Sequence, residues 1–219
     1  MTSEQLMEMY DLMLERFGPQ GWWPGETPFE VAVGAVLTQN TSWANVEKAI
    51  GNLKAAGRLS AEGIHDLERE ELAALIRPAG YFNVKAKRLK NLVDWLVENY
   101  GDMDGLEGLS TYQLREELLG VNGVGRETAD SILLYALSRE IFVVDAYTGR
   151  IASRHGLIDA EADYEQLRGL FESNLPTDVQ LYNEYHALLV RVGNEFCKPR
   201  PKCERCPLVG LPHEIECQY

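Results

Sequence analysis

Leu118-Leu119-Gly120-Val121-Asn122-Gly123-Val124-Gly125-Arg126-Glu127-Thr128-Ala129-Asp130 is the stretch on which the fold turns. A helix runs up to Leu119, a glycine-rich turn follows, and a second helix starts near Arg126. Gly123 and Gly125 permit positive φ and let a neighbouring backbone approach without a Cβ in the way. Amides that open the second helix then point outward and suit a phosphate oxygen. Gly123, Val124, Gly125, Arg126 and Thr128 are therefore candidate phosphate contacts. For the bare Gly-Val-Gly, a plain helix–turn–helix joint without a ligand is the alternative.

Outward from this turn, helical periodicity dominates. Leu6, Met9, Tyr10, Met13 and Phe17 recur at intervals of three and four, as one face of a helix requires. The same spacing recurs in Val46, Ala49, Ile50 and Leu53, and in Leu89, Leu92, Val93, Leu96, Val97 and Tyr100. Ile132, Leu133, Ala136 and Leu137 form a further stripe, and Leu181, Tyr185, Leu188, Leu189 and Val192 another. Breaks fall where helices stop, at Gly18-Pro19, Gly57, Pro78-Ala79-Gly80, 101–108, Gly156 and Leu175-Pro176. The β-rich runs 29–37 and 141–144 are short and have no matching hairpin turns. An all-α fold of roughly ten helices follows.

At 219 residues the chain is long enough for a sizeable core, and no apolar run is long enough to span a bilayer. Its acidic, amphipathic start does not look like a secretory signal, so a cytoplasmic protein is expected. The net charge of −13 argues against a general polyanion binder but leaves room for a focused contact, since phosphates are read by local groups. All four cysteines, Cys197, Cys203, Cys206 and Cys217, crowd the C-terminal end. Cysteines that staple a fold are scattered through it; a cytosolic cluster points to a metal.

Gly123-Val124-Gly125 followed by Thr128-Ala129 resembles the helix-hairpin-helix of endonuclease III-type DNA glycosylases. In that family an aspartate follows about twenty residues later, and Phe142-Val143-Val144-Asp145-Ala146-Tyr147 supplies it. Upstream, Leu37-Thr38-Gln39-Asn40-Thr41 is similar to the family segment whose glutamine enters the duplex near the extruded nucleotide. With the terminal cysteines, the resemblance covers nearly the whole chain in the right order. It implies a two-lobed fold with a C-terminal metal-cluster loop. Residues 22–130 would form a helical barrel domain ending in the hairpin; 1–21 plus 131–219 would form a second domain carrying the aspartate and the cluster. The implied partner is double-stranded DNA with a damaged base, bound by a monomer and contacted by Gln39 and Asn40 together with the hairpin.

Asp145 makes chemical sense in that setting. Breaking a base–sugar bond puts positive charge on the deoxyribose, which a nearby carboxylate can stabilise while positioning or deprotonating water. An aspartate there is equally suited to capping the next helix, and the two roles are compatible. The departure from the family is at Glu127. Members that also cut the strand carry a lysine there to form an imine with the sugar, and this chain has no lysine between Lys90 and Lys198. A carboxylate cannot form that imine, so the resemblance implies a monofunctional enzyme. Glu127 is then either a second polar group at the catalytic site or a favourable first-turn helix acid.

Trp22, Trp23, Pro24 and Trp43 bear on the substrate. Flipped bases are held between aromatic faces, and a cationic alkylated purine gains further from electron-rich rings. Tryptophans that merely cap the core are the alternative. The Trp-Trp-Pro, Leu-Thr-Gln-Asn-Thr and Gly-Arg-Glu-Thr-Ala-Asp segments together resemble the endonuclease III-like 3-methyladenine glycosylases, which implies that these four residues line the base pocket. Other lesions (mismatched adenine, uracil, hypoxanthine) and a non-catalytic damage-binding relative remain open. The cysteines, spaced C-x5-C-x2-C-x10-C, differ from the family's C-x6-C-x2-C-x5-C. Four thiolates suit iron–sulfur or zinc; the resemblance implies a [4Fe-4S] cluster, with zinc as the alternative. Lys198, Arg200 and Lys202 make the cysteine loop basic and a candidate DNA contact. Lys85, Lys87, Arg88 and Lys90 read instead as a solvated helix face, and His186 as a structural histidine.

Overall fold

The computed structural model describes residues 2–214, which form eleven α-helices and no strand. In chain order these are α1 (Thr2–Phe17), α2 (Pro28–Leu37), α3 (Trp43–Ala55), α4 (Ala61–His65), α5 (Arg69–Leu75) and α6 (Phe82–Tyr100). They continue with α7 (Thr111–Gly120), α8 (Arg126–Ser131), α9 (Ala146–Arg154), α10 (Tyr164–Glu172) and α11 (Val179–Glu195). No described helix is long and apolar enough to cross a membrane. The chain divides into two compact units, one of residues 23–139 and one of residues 1–22 with 140–219.

In the 23–139 unit, the β-rich run 29–37 is the central helix. Thr27 caps it, accepting from the Glu30 amide at 3.1 Å, and Pro28 takes the first turn, where a missing N–H costs nothing. Every residue from Glu30 to Leu37 is buried. A helix apolar all round belongs inside a core, and that burial outweighs the modest reluctance of valine to be helical. Helices α3 and α6 pack on it through the stripes read from the sequence, Val46, Ala49, Ile50 and Leu53, and Leu89, Leu92, Val93 and Leu96. Each buried valine, leucine or isoleucine among them contributes about 1.5–3 kcal/mol.

The solvated face expected on α6 is not what forms. Lys85 is 2% exposed, with Nζ donating to the carbonyls of Leu37 (2.9 Å) and Ala79 (2.7 Å). The reason is its register: Lys85 lies four residues before Leu89, at the head of the buried stripe. Burial, with Arg88 nearby, lowers its pKa from the ordinary lysine value. Lys90 bonds the His65 carbonyl and pairs with Asp94 at 3.2 Å, leaving Lys87 exposed. Helix α8 runs on into a π-helical turn, Ile132–Ala136, closed by the Leu137 amide on the Ile132 carbonyl at 3.1 Å.

In the other unit, α11 packs against both α1 and α9. Tyr185 anchors the first contact by donating to the Leu6 carbonyl at 2.7 Å. The run 141–144 is extended and buried rather than paired in a ladder. The Phe142 ring stacks on Phe171 at 4.4 Å and meets Tyr182 and Tyr185 edge-on. Its amide, which a strand would have paired, donates to Glu172 Oε1 at 2.9 Å, and Arg168 holds that carboxylate. This packed run ends at Asp145.

Candidate active site

The hairpin forms as its sequence suggests. Ser110 caps α7, accepting from the Gln113 amide, and the turn 121–125 leads into α8. Gly123 has φ +104°, and a Cβ there would stand 2.3 Å from Arg88 Cγ, so both conformation and space exclude a side chain. Gly125 differs from expectation. Its φ of −93° is open to any residue and a Cβ would meet nothing, because it serves as the extended N-cap of α8. Arg126 and Glu127 are exposed in the first turn of α8, Val124 is buried, and Thr128 is 6% exposed. Asp130 is fully buried and takes a two-pronged ion pair from Arg115 of α7, at 2.7 and 3.2 Å.

Gln39 is joined to this hairpin. Its Nε2 donates to Thr128 Oγ1 at 2.9 Å and to the Gly123 carbonyl at 3.4 Å, while Arg88 donates to its Oε1. Asn40 follows with φ +55° and is exposed. The resulting chain, Arg88–Gln39–Thr128, ties α6, the end of α2 and α8 together.

Trp23 and Trp43 meet edge-on at 5.1 Å. Trp23 also lies against Tyr135 at 5.2 Å, with the rings 31° apart. Gly34 lets Trp23 lie this close, since a Cβ there would come within 3.1 Å of Trp23 Nε1. Trp43 Nε1 donates to Glu47 Oε1 at 2.8 Å. Pro24 is exposed, and the half-buried Trp22 ends the first segment of the other unit.

In that other unit Asp145 is the N-cap of α9. Its Oδ1 accepts from the Thr148 amide at 2.8 Å and from Thr148 Oγ1 at 2.9 Å. Its Oδ2 lies 3.8 Å from Nε2 of His186 on α11, and the two side chains are 12% and 7% exposed. Burial lowers the His186 pKa from its ordinary value, and the Asp145 charge opposes that shift.

The far end of α9 holds the cysteine loop. Arg150 Nε donates to the Cys197 carbonyl at 2.6 Å. Arg154 reaches Cys197 Sγ (3.3 Å) and the carbonyls of Lys198 (2.8 Å) and Pro199 (3.2 Å). Cys197, Cys203 and Cys206 line one hollow with Ile151, Val192 and Leu208. Burial raises the Cys206 thiol pKa, and Cys197 and Cys203 add to the effect. Three thiols on an apolar hollow have the chemistry of a thiolate-ligated group. Even so, no described set of three His, Cys, Asp or Glu side chains is arranged to hold a metal. Cys217 lies outside the described residues. Lys198, Arg200 and Lys202 are exposed on this loop.

Tyr135 enters the picture only with the fold, joining the tryptophans through the π-helical turn. Lys85 reads in the sequence as part of a solvated face and His186 as a structural histidine, and the partners of neither are legible there.

The comparisons agree with this architecture. Residues 33–177 match the HhH-GPD superfamily of base excision DNA repair proteins. A protein of Methanocaldococcus jannaschii, provisionally assigned as a DNA repair glycosylase, is 52% identical over 207 residues, covering 94% of each chain. Endonuclease III of Thermotoga maritima is 34% identical over 182 residues, 82% of this chain and 79% of that one. Among solved structures, the H. pylori 3-methyladenine DNA glycosylase bound to 1,N6-ethenoadenine aligns with a TM-score of 0.77 and 32% identity, covering 89% of this chain and 97% of that one. Matched in this way along almost its whole length, the chain belongs to the HhH-GPD superfamily and is a DNA repair glycosylase of base excision repair.

Proposed function

We propose that this glycosylase is monofunctional and removes cationic alkylated purines such as 3-methyladenine. The observation that carries the first half is Glu127: the position from which an amine would attack the sugar holds a carboxylate, and the 107 residues between Lys90 and Lys198 contain no lysine. The second half is supported by the Trp23–Trp43–Tyr135 cluster, whose ring faces suit a flipped, positively charged base. It is supported also by the likeness to a solved 3-methyladenine glycosylase. Trp22 and Pro24 are further proposed contacts of the base.

In the proposed reaction the electrons of the C1′–N bond leave with the base, which departs neutral because it began cationic. Asp145 stabilises the sugar cation, and water adds to C1′ as its proton passes to the carboxylate or to solvent. Gln39, Asn40, Gly123, Val124, Gly125, Arg126 and Thr128 are the proposed DNA contacts of the 23–139 unit. Lys198, Arg200 and Lys202 are those of the cysteine loop. Glu127 is proposed as a polar group of the site. On methylated duplex DNA, 3-methyladenine release is expected, with strand breaks appearing only after alkali. A borohydride-trapped covalent adduct would overturn the monofunctional half, and absence of release the alkylpurine half.

The loop is proposed to hold a [4Fe-4S] cluster through Cys197, Cys203, Cys206 and Cys217, with zinc as the alternative. Such a group, when bound, cross-links a short loop that has little core of its own. Iron and labile-sulfide analysis of the purified protein is expected to give four of each per chain. One zinc with no sulfide would replace the cluster with the alternative.

A further inference from the structure

Asp145 offers its two oxygens to different neighbours. Oδ1 is committed to the cap, held by the amide and hydroxyl of Thr148, so it is fixed in direction and already hydrogen-bonded twice. Oδ2 is the oxygen left for the sugar and the water. Beside it stands an imidazole that the cap does not need, brought from α11, forty-one positions along the chain, and 6% exposed.

We infer that His186 is a positioning residue for Asp145: its Nε2 stands 3.8 Å from Oδ2 and directs that oxygen once the two draw into hydrogen-bond range. The inference rests on the proposed catalytic role of Asp145. A shift of about 1 Å would close the gap to a hydrogen bond. The ring acts in its neutral form, which burial favours. A neutral N–H can steer the carboxylate while leaving its negative charge available to the deoxyribosyl cation. A protonated ring would instead pair with the carboxylate and draw that charge away. Neighbouring polar groups have partners of their own: on α1, Tyr10 and Asp11 bear on Tyr185. On α9, Thr148 faces Oδ1 and Tyr147 bonds Asn194 at 2.7 Å.

The sign of the pH effect follows. Lowering the pH through the depressed His186 pKa, below the ordinary 6.5, charges the ring and should remove activity. An acid limb in the single-turnover excision rate is therefore expected in the parent protein. His186→Gln, whose amide can still donate to Oδ2, should keep most of the neutral-pH rate while moving the acid limb to lower pH. His186→Leu should lose about ten- to a hundredfold in rate, since small misplacements of a reacting group cost that much. DNA affinity should be unchanged in both variants.

Excision is to be followed from pH 5 to about pH 8 on 3-methyladenine-containing duplex, or on whichever lesion the parent releases, with Asp145→Asn as reference. Rates and acid limbs in that pattern support the inference. An unshifted acid limb in His186→Gln, or a parental rate in His186→Leu, overturns it. If His186→Gln fails to fold, His186→Asn takes its place under the same criteria. Full activity in Asp145→Asn is a separate outcome: it removes the catalytic reading of Asp145 and this inference with it. Loss of activity in Asp145→Asn with unaltered His186 variants removes this inference alone.

Discussion

Asp145→Asn is expected to fold with almost unchanged thermal stability and to lose base excision by about a hundredfold or more. The two halves have one cause. Asparagine caps a helix about as well as aspartate, so the bond from the Thr148 amide survives through the amide oxygen. The negative charge does not survive, and in the proposed reaction it is the charge that stabilises the sugar cation. Asp145→Ala should differ by losing the cap as well, at about 1 kcal/mol of stability. Thermal unfolding and single-turnover excision on the same preparations separate the roles. Parental excision by Asp145→Asn would leave the residue a cap and nothing more.

The second large effect is on the hairpin. Asp130→Ala is expected to destabilise the protein by about 3–5 kcal/mol, because it leaves the Arg115 guanidinium, only 12% exposed, without its buried carboxylate. Arg115→Ala should cost a similar amount for the mirror reason, since Asp130 has no exposure at all. Replacing both by apolar residues of similar size, as in Arg115→Met with Asp130→Leu, should recover much of the loss, because desolvation of the pair is avoided. Urea unfolding reads all three. A double variant no more stable than either single one would show that the pair does more than satisfy itself. Since Arg115 lies on α7 and Asp130 on α8, the pair clamps the two helices that flank the turn.

Much of this was legible in the sequence, and the reasons are local. The stripes on α3, α6 and α11 were plain because each helix buries one face at the helical period. The hairpin was readable because leucines at 118 and 119 stop at a run of glycines. The 29–37 run was ambiguous: a helix buried on every side has no period to read, and its type is set by Thr27, Pro28 and the core around it. Composition also misled at Lys85, where charge suggested water and register demanded the core. What was not legible depends on pairs distant in sequence. His186 beside Asp145, Gln39 on Thr128 and Tyr135 on Trp23 are each products of packing.

The π-helical turn at Ile132–Ala136 makes the aromatic cluster depend on chain length as well as composition. An α-helix advances about 100° per residue, and a π turn accommodates one residue more than an α turn. Removing a single residue within 132–134 would let the segment relax to ordinary helix and re-aim Tyr135 relative to the ring of Trp23. No substitution at Tyr135 reproduces such a change, since the side chain would be intact and facing elsewhere. Among relatives with the same aromatic residues, one gap in this segment is therefore enough to give a different pocket.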